Sequence, residues 1–287
     1  MDVVLVTGRE MPAPDPETHL LVDALADLDI DVAIRPWGNS TDWATVPLVV
    51  VRTPWDYSPV RDEFVAWVHG VDEVTRIVNP APVLEWNSHK SYLLDLARAD
   101  VPVIDTTLVR QGASHSERAR ALAHYLDEIV IKPAVSVGAI GAMRTMAGSD
   151  EAAQHLGELL ADGDVLVQPL AMAVLDEGET SLIYFAGEFS HAVRKIPATG
   201  DYRVQQHHGG QVVVHDPSRA ELAVGSAALE AAPAGTSYAR VDMVRVDDGP
   251  AVMEVELIEP QLFFVYVPEA AARFAAHIAD LVRAPAH

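Results

Sequence analysis

The chain has 287 residues and 49% hydrophobic content, enough for a sizeable core and two or three compact lobes. With Lys+Arg 20 against Asp+Glu 42, its formal net charge is −22, a surface that repels nucleic acid and anionic membranes and makes neither an expected partner. There is no cysteine, which excludes disulfides, thiolate metal sites and a cysteine nucleophile. The N-terminal MDVVLVTGRE lacks the basic and long apolar regions of a signal peptide. No apolar run reaches the roughly 20 residues of a membrane span, so a cytoplasmic location is expected.

In chain order, the first part reads as α/β. DVVLVT is a short strand, and Asp15-Pro16-Glu17 supplies an N-cap, a proline at N1 and an acidic first turn for a helix to about Asp29. DVAIRPW and PLVVVRT are further strands, and Ser58-Pro59 opens a helix carrying Phe64, Val65 and Val68. Strands alternating with helices predict a parallel sheet covered by helices, with ligands at the C-terminal strand ends. Arg52, Trp55 and Tyr57 stand in a loop at such an end. They suit a small acidic or polar ligand, and suit a packed loop equally well.

Asn79-Pro80 to Pro82 is a proline-rich break and a candidate lobe boundary, after which Asn87-Ser88 caps a helix bearing Lys90 in its first turn. VPVIDTTLV, a helix from about Ser116 to Tyr125, the strand EIVIKP, a glycine-containing loop, a helix from about Asp150 to Leu160 and VLVQPL follow. Lys132 ends EIVIKP, where it can reach a phosphate. Ser136, Gly138 and Gly141 let loop N–H groups approach phosphate oxygens. A solvated lysine before a flexible loop has the same appearance, and the spacing is neither a Walker A loop nor a GxGxxG fingerprint. Gln168-Pro169-Leu170 either offers backbone groups to an adenine edge or simply ends an edge strand at proline.

From Gly178 onward the pattern is mostly strand. TSLIYFAGEFSHAVRKI gives two strands across Ala186-Gly187-Glu188, and QVVVHD another. Arg194, Lys195 and Arg203 form the densest basic group of the second half, suited to oxyanions. The adjacent His207 and His208 would point to opposite sides of a strand and read as structural or solvated. A helix near Arg219–Ala231 precedes YARVDMVRVDDGPAVMEVELIEP, and an Ala-rich helix over about Pro268–Arg283 closes the chain.

The acidic hairpin is the most informative stretch. Strand residues two apart share a face, so Glu254 and Glu256 point the same way inside a run as apolar as AVMEVELI. Two carboxylates there are costly unless neutralised, and a hard divalent cation with oxygen ligands does that. Asp242 joins them if a three-residue turn, Asp247–Gly249, sets it opposite Glu254; a two- or four-residue turn would leave it on the wrong face. An edge hairpin with one solvated face alternates in the same way.

Taken in order, Lys90, IKP around Lys132 with its glycine loop, VQP around Gln168, GETSL, KIPATGDYR and VDMV…MEVELIEP resemble the ATP-grasp superfamily of carboxylate–amine ligases. The resemblance runs from about Lys90 to the end, and the first part fits that superfamily's N-terminal α/β lobe. RTPWDY, GETSLIYFAGEFSHAVRKIPATGDYRVQ and MEVELIEPQLFF are most similar to the D-cycloserine synthetase-like group of O-ureido-D-serine cyclo-ligases. Glutathione synthetase is similar more distantly, with an asparagine where this chain has Glu256.

The resemblance implies an α/β fold, α+β in the C-terminal half, with the nucleotide between the central and C-terminal lobes. The division it implies is an N-terminal lobe over 1–88, a central lobe over 89–170 and a C-terminal lobe over 171–287. It also implies roles. Lys90 and Lys132 bind ATP phosphates under a Ser136–Gly141 loop that includes Gly138. Gln168 and Leu170 line the adenine pocket, and Glu177 or Glu179 binds ribose. Asp242, Glu254 and Glu256 hold Mg²⁺, Arg203 and Lys195 stabilise the transferred phosphate, and Arg52 faces the substrate. ATP and two Mg²⁺ ions, replaceable by Mn²⁺, are the implied cofactors, and a small amino-acid-derived molecule is the substrate. A homo-oligomer is compatible with the final strand pattern. Three activities are consistent with the motifs: cyclisation of an O-ureidoserine-type molecule, intermolecular ligation of an amino acid or short peptide, and a non-catalytic nucleotide-binding module. Retention of both lysines, the arginine and all three carboxylates argues against the last.

Overall fold

A computed structural model describes residues 1–10, 15–198, 204, 209–247 and 249–284. Strands β1 (Val3–Thr7), β2 (Val32–Pro36), β3 (Leu48–Thr53) and β4 (Arg76–Val78) form a parallel sheet in the order β2-β1-β3-β4. β1 and β3 are buried throughout, as parallel strands covered on both faces require. Helix α1 (Pro16–Ala26) starts as its sequence predicts: the Asp15 carboxylate accepts from the N–H groups of Glu17 at 2.9 Å and Thr18 at 3.2 Å, and Pro16 fills the first turn. Helix α2 (Arg61–Asp72) follows a short 3₁₀ turn at Ser58–Val60.

The proline-rich stretch is a helix start rather than a break. Pro80 precedes helix α3 (Ala81–Asn87), and Pro82 sits in its first turn, where a missing N–H leaves no intrahelical bond unmade. Asn79 anchors this corner to the far end of the chain. Its Nδ2 donates to the carbonyls of Tyr238 at 3.0 Å and Leu257 at 2.8 Å, and its Oδ1 accepts from Ser237 N at 2.6 Å. Asn87 ends α3 instead of capping the next helix. Its amide bridges Val255 O at 2.7 Å and Leu257 N at 2.8 Å. Lys90 therefore lies in the turn before helix α4 (Tyr92–Arg98), not inside the helix.

Strands β5 (Thr107–Val109), β6 (Glu128–Pro133), β7 (Met143–Met146) and β8 (Val165–Pro169) form an antiparallel sheet in the order β5-β8-β6-β7. Helices α5 (His115–Ala123) and α6 (Asp150–Asp162) cover one face, packing Leu122, Leu156 and Leu160 on Ile129, Ile131 and Val167. Alternation along β6 turns Val130 and Lys132 to the other face, where a cavity lies.

After the short helix α7 (Ala173–Glu177), strands β9 (Glu179–Phe185), β10 (Glu188–Ile196), β11 (Gln211–His215), β12 (Tyr238–Val246) and β13 (Gly249–Glu256) form an antiparallel sheet in the order β11-β10-β9-β12-β13. Helix α8 (Arg219–Ala231) opens with a reciprocal Ser218–Glu221 capping box and packs Ala228 against the face carrying Leu182, Tyr184 and Val241. Helix α9 (Glu269–Arg283) joins the first and last sheets. Phe274 stacks on Phe185 of β9 at 4.8 Å and shares a core with Leu21 and Leu25 of α1.

The β12–β13 register corrects the expected turn. Val246 pairs with Gly249, leaving two residues between them, yet Asp242 still stands opposite Glu254. A bulge reconciles the two: Asp242 pairs with Glu254 but Met243 pairs with Val252, so Met253 is the extra residue. One inserted residue shifts the facing by one, which is how an even turn reaches the register expected from an odd one.

Candidate active site

A cavity of about 580 Å³ opens between the central and C-terminal sheets. Its acidic wall comes from the hairpin. Asp242, Glu254 and Glu256 each present a carboxylate oxygen within 4.8 Å of the others. Cations interleave with them. Lys90 Nζ lies 2.9 Å from Glu254 Oε1, and Lys195 Nζ contacts Glu179 and lies 3.1 Å from Asp242 Oδ2. Arg240 donates from Nη2 to Asp242 Oδ2 at 2.9 Å and contacts Glu256. Ser181 Oγ donates to Asp242 Oδ1 at 2.5 Å.

These neighbours divide the acids. Burial opposes ionisation of Asp242, but Arg240 and Lys195 outweigh it and hold the carboxyl well below the usual range. Glu254 is likewise lowered against burial by Lys90 and Lys132. Burial wins at Glu256, pushed up to about 7 despite Arg240, and at Glu179, pushed up to about 7 despite Lys195. Lys132 is lowered by burial, and it has no ion-pair partner within reach among the described residues. A free buried ammonium beside an oxygen-only donor set suits a polyphosphate with a hard cation.

The loop from Ala134 to Gly141 forms another wall. Lys90 fastens its start, donating from its backbone N to Ala134 O and from Nζ to Ser136 O, each at 2.7 Å. Gly141 adopts φ 76°, and a Cβ there would sit 2.9 Å from Pro133 Cγ. Ser136 and Gly138 line the cavity. A second cavity of about 690 Å³, bordered by Arg61, Ile140 and Leu159, touches Ser136 from outside, so the loop has open space on both sides.

At the other end, Gln168 and Leu170 line the cavity with Val130 and Ile104. The Leu170 N–H is already committed to Glu128 O at 2.9 Å, and the Gln168 side chain donates to Thr106 Oγ1 at 2.8 Å. Glu179 faces the cavity, whereas Glu177 turns outward to Arg245, at 2.9 Å from Nε to Oε1. Glu177 ends α7 and Glu179 opens β9, and Gly178 between them adopts φ 79°, so the chain turns between the two acids.

The N-terminal loop contributes unequally. Trp55 lines the cavity, and its Nε1 donates to Glu259 O at 3.2 Å. Arg52 is buried behind that wall and donates to Pro260 O from Nη1 at 3.4 Å and Nη2 at 3.3 Å. Tyr57 packs on Phe64 at 4.7 Å within the N-terminal core. Neither Arg52 nor Tyr57 lines the cavity. Arg203, His207 and His208 lie outside the described residues.

Two cavity residues, Arg240 and Glu259, were not anticipated. Arg240 precedes Asp242 by two on one strand, a spacing that puts it on the acidic face. Glu259 follows β13 in an irregular segment where no periodicity assigns a face. Burial, then Glu256, pushes Glu259 up to about 8.

The fold is the ATP-grasp fold. The RimK domain ATP-grasp protein from Sphaerobacter thermophilus superposes with a TM-score of 0.71 over 99% of this chain and 100% of its own, at 18% identity. The match sharpens within that class. The D-cycloserine synthetase DcsG N-terminal domain family matches residues 3–79. The cycloserine biosynthesis protein DcsG of Streptomyces lavendulae is 33% identical over 98% of this chain and 99% of its own length. The crystal structure of D-cycloserine synthetase DcsG superposes with a TM-score of 0.88 at 31% identity, covering 99% of this chain and 100% of that one. The chain belongs to the DcsG family of ATP-grasp ligases, enzymes that use ATP and Mg²⁺.

Proposed function

We propose that the protein closes O-ureido-D-serine to D-cycloserine with conversion of ATP to ADP and phosphate. The observation that carries this is one cavity holding the Asp242–Glu254–Glu256 cluster and Lys90, Lys132 and Lys195, in a chain related to DcsG along its whole length. Among the described residues, each of the ranges 1–88, 89–170 and 171–287 contains one sheet, which supports a three-lobe division with ATP between the last two. In this reading the protein works in the cytoplasm on a small amino-acid derivative.

Lys132 and Lys90 bind the ATP phosphates, and the Ser136–Gly138 backbone covers them. Gln168 and Leu170 flank adenine, and Glu179, the acid that faces inward, holds ribose. Asp242, Glu254 and Glu256 would hold two Mg²⁺ ions, replaceable by Mn²⁺, which would supply neutralisation of the phosphate charge. Lys195, with Arg203 from the adjacent segment, stabilises charge on the transferred phosphate. Trp55 forms the substrate side, and Arg52 supports it by holding the Pro260 carbonyl. The substrate carboxylate attacks the γ-phosphorus and ADP leaves; the ureido nitrogen bonded to oxygen loses its proton and attacks the activated carbon, and phosphate departs; hydrolysis of the carbamoyl group from that ring nitrogen then releases ammonia and carbon dioxide and leaves D-cycloserine. Because both reacting groups belong to one molecule, the site's main task is to hold attack geometry and exclude water.

Incubation with Mg-ATP and O-ureido-D-serine, with its L-enantiomer as control, tests this by mass spectrometry. ADP with a ring-closed product from the D-form is expected. Silence from both enantiomers while Mg-ATP binds would contradict cyclisation and direct attention to intermolecular ligation.

A further inference from the structure

Among the described residues, five carboxylates face the main cavity: Glu179, Asp242, Glu254, Glu256 and Glu259. Four have a cationic partner. Lys195 serves Glu179 and Asp242, Lys90 serves Glu254, and Arg240 serves Asp242 and Glu256. Glu259 has none among the described residues, and its carboxylate accepts no hydrogen bond there, although the residue is only 8% exposed. Buried polar groups are paired as a rule, and a charged one most of all. A carboxylate of this kind in a cavity wall is complementary to something the cavity receives.

The position is built, not incidental. Trp55 Nε1 holds the Glu259 carbonyl, and the Arg52 guanidinium holds the next one, at Pro260. Arg52 stands at the end of β3 and Trp55 in the loop that follows it, so the N-terminal sheet fixes where this acid stands. Glu259 also lies outside the three-carboxylate cluster that fits a metal ion. The cavity contains Lys90, Lys132, Lys195 and Arg240, so an incoming cation settles at the carboxylate with no cationic partner of its own, displacing the proton that burial favours there.

We propose that Glu259 is the subsite for the primary ammonium group of the substrate and selects an amine-bearing amino-acid derivative. This deepens, and rests on, the cyclo-ligase reading above. In that reaction the α-ammonium takes no part in bond making, so it is free to serve as a fixed anchor while the carboxylate meets ATP.

The test compares wild type, Glu259→Gln and Glu259→Asp on O-ureido-D-serine and on its analogue lacking the α-amino group, with separate KM values for ATP and Mg²⁺. Glu259→Gln is expected to raise KM for the amine substrate by about ten- to a hundredfold, the weight of a lost charge-assisted pair. KM for ATP and the Mg²⁺ requirement should stay within about twofold, and the des-amino analogue should react equally in wild type and variant. Glu259→Asp should fall between them on the amine substrate alone, and carries the comparison if the glutamine variant fails to melt cooperatively. Equal losses on both substrates, or a raised Mg²⁺ requirement, would overturn the assignment. Inertness of wild type on O-ureido-D-serine has a separate signature and overturns the cyclo-ligase reading together with this subsite.

Discussion

The Lys90 ammonium lies 2.9 Å from Glu254 Oε1 and 2.7 Å from Ser136 O, so one side chain ties an acid of the three-carboxylate cluster to the glycine loop. Replacing it by methionine strands a largely buried carboxylate, at a cost of about 3 kcal/mol in unfolding free energy. Lys90→Met is expected to lose about that much and to raise KM for ATP at least about tenfold. Mg²⁺ should restore part of the stability, because it can replace the ammonium beside Glu254. Denaturant titrations with and without Mg²⁺ check this, and equal losses in both would refute the link.

Gly178 separates the outward Glu177 from the inward Glu179. It adopts φ 79°, and a Cβ there would lie 2.3 Å from Lys195 O. The obstacle is backbone, so β9 and β10 must part to accept it. Gly178→Ala is predicted to cost about 3 kcal/mol of stability and to reduce kcat by misplacing Lys195 and Glu179. Wild-type stability and turnover in this variant would contradict the packing described.

Burial pushes Glu256 up to about 7, so a metal binding there displaces a proton. Metal takes the carboxylate form, so affinity is weak below pH 7, rises toward it and levels off above. At limiting Mg²⁺, turnover should climb by up to about tenfold per pH unit below 7. Saturating Mg²⁺ should flatten the profile. Glu256→Gln should lose that limb and most turnover while nucleotide binding largely survives; full ADP production by this variant would sink the metal assignment.

His191 is buried, with Nε2 at 2.8 Å from Leu262 O and Nδ1 at 2.9 Å from Ser190 Oγ. Burial depresses its pKa to about 4, so the folded state prefers the neutral ring. The stability it gives is complete above its unfolded pKa of about 6.5 and is lost as pH falls toward 4. The loss amounts to about 2–3 kcal/mol. The raised Glu179, Glu256 and Glu259 have the opposite slope, so the difference between wild type and His191→Asn isolates the effect. A difference independent of pH between 7 and 4 would refute it.

Legibility followed periodicity. The shared face of Glu254 and Glu256 and the cap at Asp15 rest on local rules written in adjacent residues. The facing of Asp242 was readable but its route was not, because the bulge at Met253 leaves no compositional mark. Strand β7, with Arg144 and Thr145 among its four residues, is too polar to announce itself, and α3 hides behind Pro80 and Pro82. Tyr57 and Arg52 show the limit of loop reading: aromatic and basic residues at a strand end can support a wall from behind as well as line it. Glu259 lies where the chain has no period, and only the cavity reveals it.

Fate of the substrate oxygen tests the central claim most directly. O-ureido-D-serine labelled with ¹⁸O in its carboxylate should yield phosphate carrying one substrate oxygen per ADP formed, because carboxylate oxygen attacks the γ-phosphorus before ring closure. Phosphate free of label, released alongside D-cycloserine, would contradict activation of the carboxylate by ATP in this site.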